Sequence, residues 1–73
     1  MFDFASHLKT LRQSKNVTQK QVAEAIHASE RGYQRYELNE RKPTFEILIA
    51  LADYFEVSID YLVGRTDNPE VNR

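Results

Sequence analysis

Between Thr18 and Asn39 the chain reads TQKQVAEAIHASERGYQRYELN, and the second half of that run sets Glu30, Arg31, Gln34 and Arg35 on one polar helical face. These side chains carry the groups that base edges require. Arg pairs bidentately with guanine, Gln pairs with adenine, and Glu accepts from the N4 amine of cytosine. Two short helices joined by a tight turn, the second of them short and polar, form the helix-turn-helix pattern, in which the second helix enters a DNA major groove. Helix N-termini offer free amides to anions. The starts at Thr18, Gln19 and Ser29 are therefore expected against backbone phosphates.

The same run must also supply a scaffold. The first helix needs a small residue where the second crosses it, and Ala23 is in place. The turn needs one residue that tolerates positive φ, and His27 must serve. Tyr33 and Tyr36 are spaced to face inward, so they are expected in the core rather than stacked on bases. Taken alone, Arg31, Gln34 and Arg35 on an amphipathic helix would be an ordinary solvated face. The flanking segments decide between the two readings.

Little else in the chain offers chemistry. There are no cysteines, and His7 and His27 are the only histidines, so no thiolate or multi-histidine metal site is expected. Asp53, Glu56 and Asp60 fit solvated helix surfaces better than acid–base work. No nucleophile–base pair and no glycine-rich phosphate loop is visible, so neither an enzyme, a cofactor nor a small-molecule ligand is expected.

Capping residues punctuate the rest. Asp3 can open a first helix whose face is Phe4, Leu8 and Leu11. Thr18 opens the second with Gln21 at the capping-box position, and Val22, Ala25 and Ile26 read as its apolar stripe. Ser29 opens the third. Pro43-Thr44 opens a fourth, where Leu48, Leu51, Ala52 and Phe55 recur at helical spacing. Ser58 opens a short fifth helix holding Ile59 and Leu62, which Gly64 ends. No segment alternates with the period of a strand. The expected fold is all-α, a compact five-helix bundle with the helix-turn-helix at helices two and three, over residues 1–65. Residues 66–73 read as a polar, frayed C-terminal tail.

Helices commonly end on a residue in the left-handed region, usually Gly and sometimes Asn. Asn16, His27 and Asn39 stand at the three inner ends, with Gly64 at a fourth. Gly32 falls inside the third helix, at a cost of about 0.8–1 kcal/mol against Ala. It fits either a close approach to a phosphate or a partner helix, or a small residue that is merely tolerated.

The 73 residues set one domain with one small core, which buries about 60% of its unfolded surface. The first twenty residues are charged and amphipathic, unlike a signal peptide or a membrane span, so a cytoplasmic location is expected. Net charge is only −1, but it is unevenly spread. Residues 1–43 hold eight Lys/Arg against five acids, and residues 44–73 hold two against six. A basic front and an acidic back suit a chain that turns one face to phosphate.

The segments LKTLRQSKNVTQKQVAEAIHAS and YQRYELNERKPTFEILIALADYFEVSIDYLVGRTD give the chain a resemblance to Cro-type, or xenobiotic-response-element type, helix-turn-helix regulators. The likeness covers roughly residues 4–67. Its specific parts are the TQ of helix two, the YE-x-N-x-x-x-P segment and the closing VSIDYLVGRTD. This resemblance implies that Gln19 meets a phosphate, that Glu30, Arg31 and Arg35 touch bases, and that Asn39, Arg41 and Lys42 follow the sugar-phosphate backbone. It also implies a partly buried ion pair between Arg12 and Glu37. Two positions depart from the family's pattern. His27 stands where the family usually has Gly. Glu30 is an acid in the first base-reading position, suited to cytosine or to a purely structural cap.

The implied function is sequence-specific DNA binding by a transcriptional regulator, a repressor acting as a homodimer on an inverted repeat. Ile47, Ile49, Tyr54, Tyr61 and Val63 exceed what the core stripe needs. Of these, Ile49, Tyr54, Tyr61 and Val63 are the candidates for a dimer seam. The same apolar excess leaves a second reading open, an antitoxin or adaptor that uses this fold to hold a protein partner.

Overall fold

The computed structural model describes residues 2–70. Five helices follow in order: α1 Phe4–Ser14, α2 Gln19–Ala25, α3 Glu30–Glu37, α4 Phe45–Phe55 and α5 Ile59–Leu62. No strand occurs among the described residues. The N-caps are Asp3, Thr18, Ser29, Thr44 and Ser58, and each side chain accepts a hydrogen bond from its helix's first turn. At α2 both halves of the capping box form, Gln21 N–H to Thr18 Oγ1 at 3.1 Å and Thr18 N–H to Gln21 Oε1 at 2.8 Å.

All five helices end in the same way. One residue turns left-handed, at Asn16, His27, Asn39, Glu56 and Gly64, with φ between 57 and 81°. The amide just beyond it then reaches back five residues. Val17 bonds Arg12, Ala28 bonds Ala23, Glu40 bonds Arg35, Val57 bonds Ala52 and Arg65 bonds Asp60. This is the Schellman closure, which satisfies carbonyls left open at a helix end. Asn16, His27 and Asn39 behave as their residue types predict. Nothing in the sequence marks the end of α4, because Glu56 carries no local signal for positive φ.

The core gathers Leu8 and Leu11 from α1, Val22, Ala23 and Ile26 from the α2 region, and Tyr33 and Tyr36 from α3. Leu51, Ala52 and Phe55 from α4, with Val57 and Leu62, complete it. The stripe of α2 is therefore Val22–Ala23–Ile26, and Ala25 is exposed. Ala23 is almost fully covered, which lets α3 pack closely on α2. Of the two apolar residues of α5, Leu62 is wholly buried and Ile59 is exposed. His7 is half-buried between the rings of Phe2 and Tyr61, at 5.2 and 5.0 Å, and its Nε2 makes no hydrogen bond.

Residues 66–70, read as part of a frayed tail, fold back along the start of α5. Ser58 N–H donates to the Pro69 carbonyl at 3.0 Å, which ties the polar tail back to the start of α5. Thr66 Oγ1 and Asn68 Oδ1 accept from the amides two residues on, tightening that return. The remainder of the expected tail, residues 71–73, lies outside the described residues. No described helix is long and apolar enough to cross a membrane.

Candidate nucleic-acid interface

Ser29 fixes the start of α3 by accepting from Gly32 N–H at 2.9 Å. A side chain at Gly32 would meet only the Ser29 hydroxyl, at 3.0 Å, so no partner helix presses there. Tyr33, Tyr36 and Glu37 turn inward. The opposite face carries Glu30, Arg31 and Arg35, all exposed, with Gln34 half-covered beside them. The structure thus brings the four expected base-reading side chains onto one short helix, with Gln34 the least accessible.

The expected phosphate residues come from the starts of α2 and α3 and from the α3–α4 connection. Thr18, Ser29, Asn39, Arg41 and Lys42 are exposed, and Gln19 is half-buried. Thr18 cannot offer its backbone amide, because Gln21 already holds it. The amides of Gln19 and Lys20 make no bond within the described residues and remain free at the positive end of the α2 dipole. Of the expected α2 amides, Thr18 is thus taken, Gln19 stays free, and Lys20 joins it.

Arg12 and Glu37 meet across the core. Arg12 Nε donates to Glu37 Oε2 at 2.6 Å, and Nη2 donates to Oε1 at 3.3 Å. Arg12 Nη1 donates to the Val17 carbonyl at 3.0 Å. Two further donors complete the carboxylate: Gln19 Nε2 reaches Oε1 at 3.1 Å, and the Tyr33 hydroxyl reaches Oε2 at 2.5 Å. One glutamate therefore joins α1, α2 and α3. Its side chain is 2% exposed, so an unpaired charge there would be costly.

Electrostatics follow from those contacts. Burial pushes the Glu37 carboxyl up, but hydrogen bonds from Arg12, Tyr33 and Gln19 outweigh it and hold the group below its ordinary value. The bond to Glu37 raises the Arg12 guanidinium against the opposing effect of burial. Burial, then the bond to Glu37, raises the Tyr33 phenol far above the ordinary tyrosine range, so it stays a donor.

Sequence reasoning missed two parts of this hub. Tyr33 was expected inside, and it is, but its hydroxyl partner was not foreseen. The spacing of Tyr33 and Glu37, four residues on one helix, was the available signal. Gln19 was expected only against phosphate, whereas its amide also bonds Glu37. One of the two Nε2 hydrogens is thereby used, and the other is left for an outside acceptor.

An exposed polar helix, flanked by free amides and cations and braced from beneath by a buried ion pair, defines the helix-turn-helix class of domain. A helix-turn-helix family model matches residues 8–62, and the chain belongs to that family. It is 36% identical over 67 residues to the uncharacterised HTH-type transcriptional regulator YobD of Bacillus subtilis, covering 92% of this chain and 60% of that protein. It is 45% identical over 58 residues to the cryptic phage CTXphi transcriptional repressor RstR of Vibrio cholerae, covering 80% of this chain and 52% of RstR. The chain thus spans little more than half the length of these curated relatives.

Among solved structures, a transcriptional regulator from Listeria innocua aligns with a TM-score of 0.79 at 40% identity, over 85% of this chain and 58% of that one. The P22 c2 repressor, crystallised in complex with a synthetic operator, aligns with a TM-score of 0.80 over 86% of this chain and 96% of that one. Its identity is 22%, so it supports the fold alone. The relatives are named as regulators, not enzymes.

Proposed function

We propose that this chain is a sequence-specific DNA-binding domain of a transcriptional repressor, which acts in the cytoplasm. The observation that carries the reading is the outward face of α3, where Glu30, Arg31 and Arg35 stand exposed on a helix braced by the Glu37 hub. Glu30, Arg31, Gln34 and Arg35 read base edges. Thr18, Gln19, Ser29, Asn39, Arg41 and Lys42 hold phosphates. Backbone contacts set register and base contacts set preference.

Binding as a homodimer belongs to the same proposal. Recognition helices on successive major grooves stand about 34 Å apart. The Cα frame measures 29 × 26 × 24 Å, a size comparable with that spacing. Of the candidates for the seam, Tyr54 is exposed, Ile49 and Val63 are half-buried, and Tyr61 packs against the core. Ile59, also exposed, joins Tyr54 at the corner between α4 and α5. That corner is the seam the exposure pattern favours.

Selection of bound sites from random duplex DNA tests the proposal. Enrichment of one inverted repeat, with binding that weakens as salt rises, is the expected result. An absence of salt-sensitive duplex binding would overturn it in favour of the protein-interaction module. The exposed Leu38 and Phe45, 64% and 66% accessible, are the feature that would serve that second reading.

A further inference from the structure

An open groove of about 600 Å³ runs between the start of α1, the α3–α4 connection and the residue after α5. Phe4, Leu48 and Val63 give it an apolar lining, and Phe2 forms one wall. That wall depends on Gly64. A Cβ there would stand 2.3 Å from the Phe2 ring, so the ring lies where only glycine leaves room.

Arg41 and Lys42 line the same groove. Among the described residues the only ion pair is Arg12–Glu37, so neither cation is held by a carboxylate. Asp3 also borders the groove and keeps its charge, but its oxygens accept from the amides of Ala5 and Ser6 and from the Ser6 hydroxyl rather than from either cation. The result is an apolar trough of small-ligand size with two uncommitted cations. A DNA phosphate would use the cations and leave the trough unfilled.

We infer that this groove binds a small amphipathic carboxylate, with its apolar body against Phe4, Leu48 and Val63 and its anionic head on Arg41 and Lys42. Arginine offers a carboxylate two parallel donors, and lysine adds a second positive charge. Ligand and duplex would compete for these two cations; that consequence, unlike the site itself, rests on the DNA-binding proposal.

Decanoate tests the site in the absence of DNA, followed by amide NMR shifts, with decanol as the uncharged control. Saturable shifts confined to the groove residues are expected, and decanol should bind about tenfold more weakly because it lacks the charge-assisted contacts. Arg41→Gln/Lys42→Gln should weaken decanoate to the decanol level without changing decanol. Val63→Trp, which fills the trough, should weaken both. Equal binding of decanoate and decanol would overturn the inference, as would shifts centred elsewhere. Groove shifts that appear on raising protein concentration without ligand would assign the groove to a second copy and overturn it as well. A fall in duplex affinity at saturating decanoate is the separate readout of competition.

Discussion

The Tyr33 hydroxyl donates to Glu37 Oε2 at 2.5 Å, one turn away on the same helix and on the side opposite the base-reading face. The outer face of α3 is therefore held from behind by a bond that no solvent or DNA group reaches. Tyr33→Phe should remove a hydrogen bond to a charged group and cost about 1.5–3 kcal/mol. Urea unfolding measures this directly. A change of a few tenths would mean the phenol is only a space-filling ring.

Removing the acceptor should cost more. Glu37→Ala strands the Arg12 charge and should destabilise by about 3–5 kcal/mol, with a corresponding drop in melting temperature. An exposed pair would be worth only about 0.2–1 kcal/mol. An unchanged melting temperature would refute the hub.

Acid should act through the same carboxyl. Its folded value lies below the ordinary glutamate value of 4.5, so the unfolded chain binds its proton first as pH falls. The stability it contributes is complete above that ordinary value and is lost as pH drops through the folded value. Below about pH 4.5, wild-type stability should decline more steeply than that of Glu37→Gln, which has no proton to gain. Parallel curves for the two proteins would remove Glu37 from the acid response.

The helix ends give a prediction with a built-in control. A bulky residue in the left-handed region costs roughly 1–2 kcal/mol, and glycine's extra unfolded-state freedom returns about 0.4–1 of that. Glu56→Gly should therefore stabilise the domain by about 0.5–1 kcal/mol. Asn16→Gly should be close to neutral, since Asn already tolerates the conformation. Equal effects at the two positions would show that backbone strain is not what separates them.

DNA variants should divide by the type of contact. Lys42→Ala should weaken all duplexes alike and flatten the salt slope by about one unit. Gln19→Ala should weaken all duplexes without changing that slope, because it removes no charge. Arg31→Ala should lose about 1–3 kcal/mol on the preferred site and little on random DNA. Equal loss on both would reassign Arg31 to the backbone.

Where the chain's structure is set locally, the sequence was readable. All five N-caps follow from Asp, Ser or Thr before an apolar repeat, because capping depends on the next three residues alone. Asn16, His27 and Asn39 were readable for the same reason. Glu56 was not, since the corner between α4 and α5 imposes its conformation against its residue type. Ala25, expected in the α2 stripe, is exposed, because alanine's small apolar surface marks no face until a partner helix chooses one; Ala23 is covered, as its crossing position requires. The bond from Ser58 to Pro69 joins residues that sequence spacing does not relate. Around the candidate interface, type and spacing placed Arg31 and Arg35 outward. The convergence of Arg12, Gln19 and Tyr33 on one carboxylate needed the packing of three helices.

The five Schellman closures also bear on how quickly the chain can find its shape. Every one links residues five apart, within or just past a single helix, so all but the one at Glu56, which the α4–α5 corner imposes, can form before any two helices dock. Chains dominated by such near-neighbour bonds cross low entropic barriers and fold in microseconds to milliseconds. The search left to this domain is the docking of helices whose stopping points, that of α4 apart, are already written into the chain. The slow step should then be the closing of the Glu37 hub, which requires α1, α2 and α3 at once.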